Sequence, residues 1–100
     1  MDVRQSLVLM IRQLLEDMSY LVHQGSGYYT CTPVARRYNK LLGQARALFP
    51  SNDSLLATFE EIPEGDPKDP SDKLKVLQGI RVECGQLITL LESAAEEDQS

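Results

Sequence analysis

The stretch "HQGSGYYTCTPVARRY", His23 to Tyr38, gathers the only histidine, one of two cysteines, three of four tyrosines and an Arg-Arg pair. Three chemistries are conceivable for such residues. His23 and Cys31 have the types of a base and a nucleophile. That pair needs a third side chain to orient the base, and the neighbouring sequence offers none. Gly25-Ser26-Gly27 has the composition of a phosphate cradle. A phosphate loop requires Lys-Ser/Thr after its second glycine, and a dinucleotide loop requires a third glycine after a strand. Tyr28-Tyr29 follow instead, so the glycines read as a helix C-cap and turn.

The third chemistry is electrostatic. Arg36, Arg37 and Lys40 fall in the first turns of a helix that opens at Thr32-Pro33. A helix N-terminus is already positive. With Tyr28 and Tyr29 alongside, these cations form a candidate site for a phosphate, a carboxylate or an acidic partner. The tyrosines could also stack a nucleic-acid base. Three cations bind only weakly at physiological salt. The competing expectation is a solvated basic face that balances acidic residues elsewhere in the chain.

Other chemistry is absent from the pattern. One histidine and two separated cysteines make neither a zinc site nor a disulfide framework. Glu60-Glu61 and Glu96-Glu97 are adjacent in sequence, so on helices their carboxylates diverge, whereas acid–base pairs must converge. No catalytic residue, metal ligand or cofactor-binding residue is therefore assigned, and the expectation is a protein that is not an enzyme and carries no cofactor.

Four helical stretches must position these residues, in one domain over 1–95 with an acidic tail, 96–100, expected to fray. In 3–22, Val3, Leu7, Val8, Met10, Ile11, Leu14, Leu15, Met18, Leu21 and Val22 share an arc of roughly 160° at 100° per residue. Asp2 is its expected N-cap. Leu9 and Tyr20 fall on the polar side. The second helix, capped by Thr32 with Pro33 at its first position, aligns Val34, Tyr38, Leu41, Leu42, Ala45, Leu48 and Phe49, and ends at Pro50. "SNDSLLATFEEI" is expected to be a short third helix, capped by Ser51 or Asp53, with Leu55, Leu56, Phe59 and Ile62 inward. The proline-rich "PEGDPKDPSD" then spans roughly 28 Å if extended. That is close to the 30 Å of a twenty-residue helix, so the direction of the last helix is left open. That helix is capped by Ser71, and Leu74, Val76, Leu77, Ile80, Cys84, Leu87, Ile88, Leu91 and Ala94 form its apolar face. The fold class is thus all-α, a small bundle of three long helices and one short one, without a sheet.

Two glycines in the last helix suggest a surface. Gly79 and Gly85, each about 1 kcal/mol worse than Ala in a helix interior, fall away from its main apolar arc with Val82 and Thr89. Small residues permit close approach of another helix. These four are candidate packing residues for a second copy, a partner or the short helix.

Charge narrows the partners. The net charge of −5 argues against general nucleic-acid binding. Its distribution is uneven, with +3 over residues 1–50 and −8 over 51–100. No run of about eighteen apolar residues spans a membrane. Free thiols suit the cytoplasm. The resulting expectation is a helical protein–protein interaction module, self-associating or binding a protein partner. The alternative is small-anion, nucleotide or nucleic-acid binding at the junction of the first two helices.

Overall fold

The structure, a computed structural model, describes residues 2–23, 31–48 and 56–98, the last five of these through their backbone only. Within them it is all-α. The helices are α1 (Val3–His23), α2 (Thr32–Leu48) and α3 (Pro70–Asp98), and no strand occurs among the described residues.

Each helix starts from an identifiable cap. Asp2 accepts the Gln5 amide on its carboxylate at 2.7 Å, and the Gln5 side chain returns the bond to the Asp2 amide at 3.1 Å. This reciprocal box satisfies two donors that would otherwise lack partners. In α2 the expected cap is displaced by one residue. Cys31 takes the N-cap position, its carbonyl accepting the Ala35 amide at 2.9 Å. The Thr32 hydroxyl is turned outward to donate to the Glu64 carbonyl at 2.8 Å. Pro33 still lies within the first turn, where a missing N–H has no helical partner to lose. In α3 the cap is Asp69 rather than Ser71. Its carboxylate accepts the Ser71 amide at 2.8 Å and hydroxyl at 2.7 Å, and Pro70 occupies the first helical position.

The expected short helix over 51–62 changes form. Residues 51–55, with the caps Ser51 and Asp53, lie outside the described residues, as do Phe49 and Pro50. The Phe59 amide closes a turn onto the Leu56 carbonyl at 3.1 Å, and residues 59–67 are not helical. They form a strap along α2. Arg46 donates to the Phe59 carbonyl, Asn39 pairs with Ile62, Thr32 and Arg36 reach Glu64, and Cys31 reaches Asp66. Length explains the conformation. From residue 46 back to residue 31 a helix rises roughly 22 Å. The seven steps from residue 59 to residue 66 cover about 22 Å only when the chain is extended. Leu56, Phe59 and Ile62 still point inward, the first two buried and the third partly so.

The strap decides the direction of the last helix. It runs from the C-terminal end of α2 to its N-terminal end, so α3 starts beside Cys31. Tyr38 then meets Glu83, and Arg12 of α1 pairs with Glu92. Hence α3 runs parallel to α2 and antiparallel to α1. α1 packs on both other helices more extensively than they pack on each other. Ile11, Tyr38, Leu42, Ile80, Cys84 and Leu87 are fully enclosed. The α1 arc is broader than its cover, since Val3, Met10 and Val22 remain exposed. Leu9 and Tyr20 are exposed, as their side of the helix requires. α3 is the longest element and continues through Asp98. Its 29 residues correspond to about 43 Å, which accounts for most of the 47 Å long axis of the 47 × 23 × 16 Å molecule.

Candidate functional site

Thr32, Arg36, Asn39 and Arg46 recur at helical spacing down one polar stripe of α2, and all four bond to the strap. The Asn39 amide grips both backbone groups of Ile62, accepting its N–H and donating to its carbonyl at 2.8 Å each. This is how a strand neighbour would pair, supplied here by one side chain. Arg36 faces Glu64 with Nε 3.4 Å from Oε2, both about half exposed. The candidate anion site is therefore divided. Arg36 already has a carboxylate. Arg37 and Lys40 are exposed and make no ion pair among the described residues. Tyr28 and Tyr29 lie outside the described residues.

At the strap's far end, Lys73 is buried. Its Nζ lies 2.9 Å from Asp66 Oδ1, and the same oxygen accepts the Cys31 amide at 2.9 Å. The Cys31 thiol donates to the Lys73 carbonyl at 3.6 Å. One carboxylate thus ties the strap to the N-termini of both α2 and α3. Burial raises the Cys31 thiol pKa, the Asp66 charge adds to the rise, and Lys73 opposes it. His23 does not meet this thiol in a hydrogen bond. Its Nδ1 engages the Ser19 carbonyl at 2.7 Å, on the exposed side of α1. Cys31 is fully buried where α2 and α3 begin.

Cys84 is also enclosed, and burial with the nearby Glu83 charge pushes its thiol up to about 12. Tyr38 is raised as well, first by burial and then by Glu83, whose Oε2 accepts its hydroxyl at 3.5 Å. Both cysteines are free. Among the described residues no cluster of His, Cys, Asp and Glu could hold a metal ion, and no helix is long and apolar enough to cross a membrane.

The small-residue surface of α3 is open. A Cβ built at Gly79 or Gly85 would meet nothing within 4 Å, and Val82 is exposed. The Thr89 hydroxyl donates to the Gly85 carbonyl at 3.0 Å. The two glycines are six positions apart, which places them 120° apart on the helix. Gly79 therefore falls on the far side from Arg81, while Gly85 falls on the side of Gln78 and Arg81.

There it borders a feature that residue types alone did not indicate. Two cavities lie along the outer seam between α1 and α3, and the larger share of its apolar lining belongs to one groove. One cavity of about 340 Å³ has Leu15, Met18 and Val22 on one wall and Leu74 and Leu77 on the other, rimmed by Glu16, Ser19, His23, Gln78 and Arg81. A second, of about 370 Å³, is lined by Arg4, Gln5, Val8, Leu9, Arg12 and Glu92. The Arg12–Glu92 ion pair lies beside it. Three exposed apolar side chains border the groove: Leu9 at 50 %, Val22 at 39 % and Leu74 at 36 %. A signal for it exists in the sequence. Leu74, Gln78, Arg81, Gly85, Ile88 and Glu92 follow one another at alternating spacings of four and three, a second stripe beside the core stripe.

The chain matches no family model, and neither a curated protein nor a solved structure is significantly similar to it.

Proposed function

We propose that this protein is a small, non-enzymatic interaction module that works by offering the α1–α3 groove to another helical surface. The groove is the observation that carries the reading. A helix-binding groove needs an apolar floor along two adjacent helices and a polar rim that sets register. Leu15, Val22, Leu74 and Leu77 supply the floor; Glu16, Ser19, Gln78 and Arg81 supply the rim. Exposed apolar side chains are ordinary when scattered. Aligned along one seam they mark an interaction surface. The basic face of α2 supports binding less well, because Arg36 is engaged by Glu64. The uneven charge of the chain would act on encounter and orientation more than on affinity.

A photo-activated cross-linker tests this in the native host. Placed at Ser19, on the groove rim, it should yield a discrete adduct. Placed at Lys40, on the exposed side of α2, it should yield none. Adducts at Lys40 alone, or at neither position, would remove the basis for the reading.

A further inference from the structure

Glu16 and Arg81 rim the same cavity from opposite helices, and neither forms an ion pair among the described residues. A surface carrying one unpaired charge of each sign at the same level on its two walls is self-complementary. A two-fold axis running along the groove keeps each residue at its own height and exchanges α1 for α3. It would lay α1 of one copy on α3 of the other. Glu16 of each copy then faces Arg81 of its mate, and Val22 faces Leu74. Because α1 and α3 are antiparallel, the four helices at such a seam, α1 and α3 of each copy, alternate in direction. This is the usual arrangement of an up-and-down four-helix bundle.

One further observation fits a second copy. Gly85 falls on the groove-facing stripe of α3 between Arg81 and Glu92, and the space above it is empty for at least 4 Å. A helix can approach closely there.

We infer that the occupant of the α1–α3 groove is a second copy of this chain, related by a two-fold along the groove and registered by reciprocal Glu16–Arg81 pairs. The inference rests on the groove being the interaction surface, and narrows its partner to the protein itself.

Light scattering coupled to size exclusion, across the micromolar range, tests it on the full chain. The wild type should show twice the mass of one 11.2 kDa chain. Glu16→Lys alone places Lys opposite Arg81, and Arg81→Glu alone places Glu opposite Glu16. Each single variant should raise the dimer dissociation constant roughly tenfold or more. A one-to-one mixture of the two should recover the dimer, because every cross-copy contact becomes attractive again. No effect within one chain reproduces recovery on mixing. Both side chains are exposed, so helicity by circular dichroism should stay at the wild-type level. A wild type that remains monomeric, single variants that dimerise as it does, or a mixture that stays monomeric would each overturn the inference. A monomeric wild type together with a Ser19 adduct to a different protein would leave the interaction reading standing and remove the second copy alone.

Discussion

Asn39 is the residue on which the strap most visibly depends. Asparagine is a poor helix former because its amide competes for backbone groups. In the middle of α2 that tendency is used on a distant backbone, where it satisfies Ile62 twice. Replacing Asn39 with Leu removes both bonds and leaves partly buried backbone groups without partners. The expected loss is about 1–3 kcal/mol in urea unfolding, with faster hydrogen exchange at the Ile62 amide. An unchanged midpoint would mean that the strap is held by its apolar side chains alone. The thiols give a second expectation. Ellman's reagent should find neither Cys31 nor Cys84 in the folded protein and both after denaturation. Cys84 ionises ordinarily near 9.0 and in the fold at about 12. Above pH 9 the unfolded chain loses a proton that the native chain keeps, so stability should fall as pH rises from 9 toward 12. A flat alkaline stability profile would contradict this. The burial of Leu14, Tyr38 and Cys84 was legible from 3.6-residue periodicity, because it depends on neighbours within the same helix. The task of Asn39 was not, because its partner lies 23 residues away and carries no side-chain signature.

At the scale of elements, the helices follow from local pattern and their junctions follow from contacts distant in sequence. The amphipathic stripes of α1, α2 and α3 locate all three long helices to within a few residues. Caps are where the local reading slipped. The Asp66 carboxylate binds the Cys31 amide, and Glu64 takes the Thr32 hydroxyl, so α2 is capped one residue earlier than its own sequence indicates. The short helix slipped for a related reason. Leu56 and Phe59 are buried and Ile62 partly so, as its pattern required, but the distance back along α2 requires an extended chain after Thr58. Asp66 is the clasp of that return. Asp66→Ala leaves the buried Lys73 ammonium and the Cys31 amide without their acceptor. This should cost about 2 kcal/mol, less than a fully buried pair because the Asp66 side chain is 35 % exposed. Equal stability by denaturant titration would show that the clasp is dispensable. The α3 cap should respond to acid. Hydrogen bonds from the Ser71 hydroxyl and amide hold Asp69 below its ordinary 3.8. On acidification the unfolded chain therefore takes up this proton first. The cap's contribution is complete above that ordinary value and is lost as pH falls through the lower native one. Asp69→Asn retains an acceptor without the charge, so protection of the Ser71 amide should lose its acid dependence. If the wild-type amide shows no such dependence, the cap is not anchored by this carboxylate.

Over the whole molecule, the +3 and −8 halves meet where the strap crosses α2 and at Arg12–Glu92. Part of the charge asymmetry is therefore spent within the chain, which is why Arg36 is less available than its position in the sequence suggests. The all-α class was legible from composition and period. The relative direction of α3 was not, because an extended linker of that length permits either sense, and only its side-chain contacts with α2 decide. The groove was half legible. Gly85 stood out as a glycine without a local reason, and by helical spacing it shares a stripe with Gln78, Arg81 and Glu92. The seam is the surface proposed to meet a second copy. Amide chemical shifts of the labelled protein, followed from dilute to concentrated solution, test it most directly. The account predicts concentration-dependent shifts along the seam, at Leu9, Glu16, Val22, Leu74, Arg81 and Gly85, with Arg37 and Lys40 unmoved. Shifts centred on Arg37 and Lys40, or no shifts at all, would contradict it.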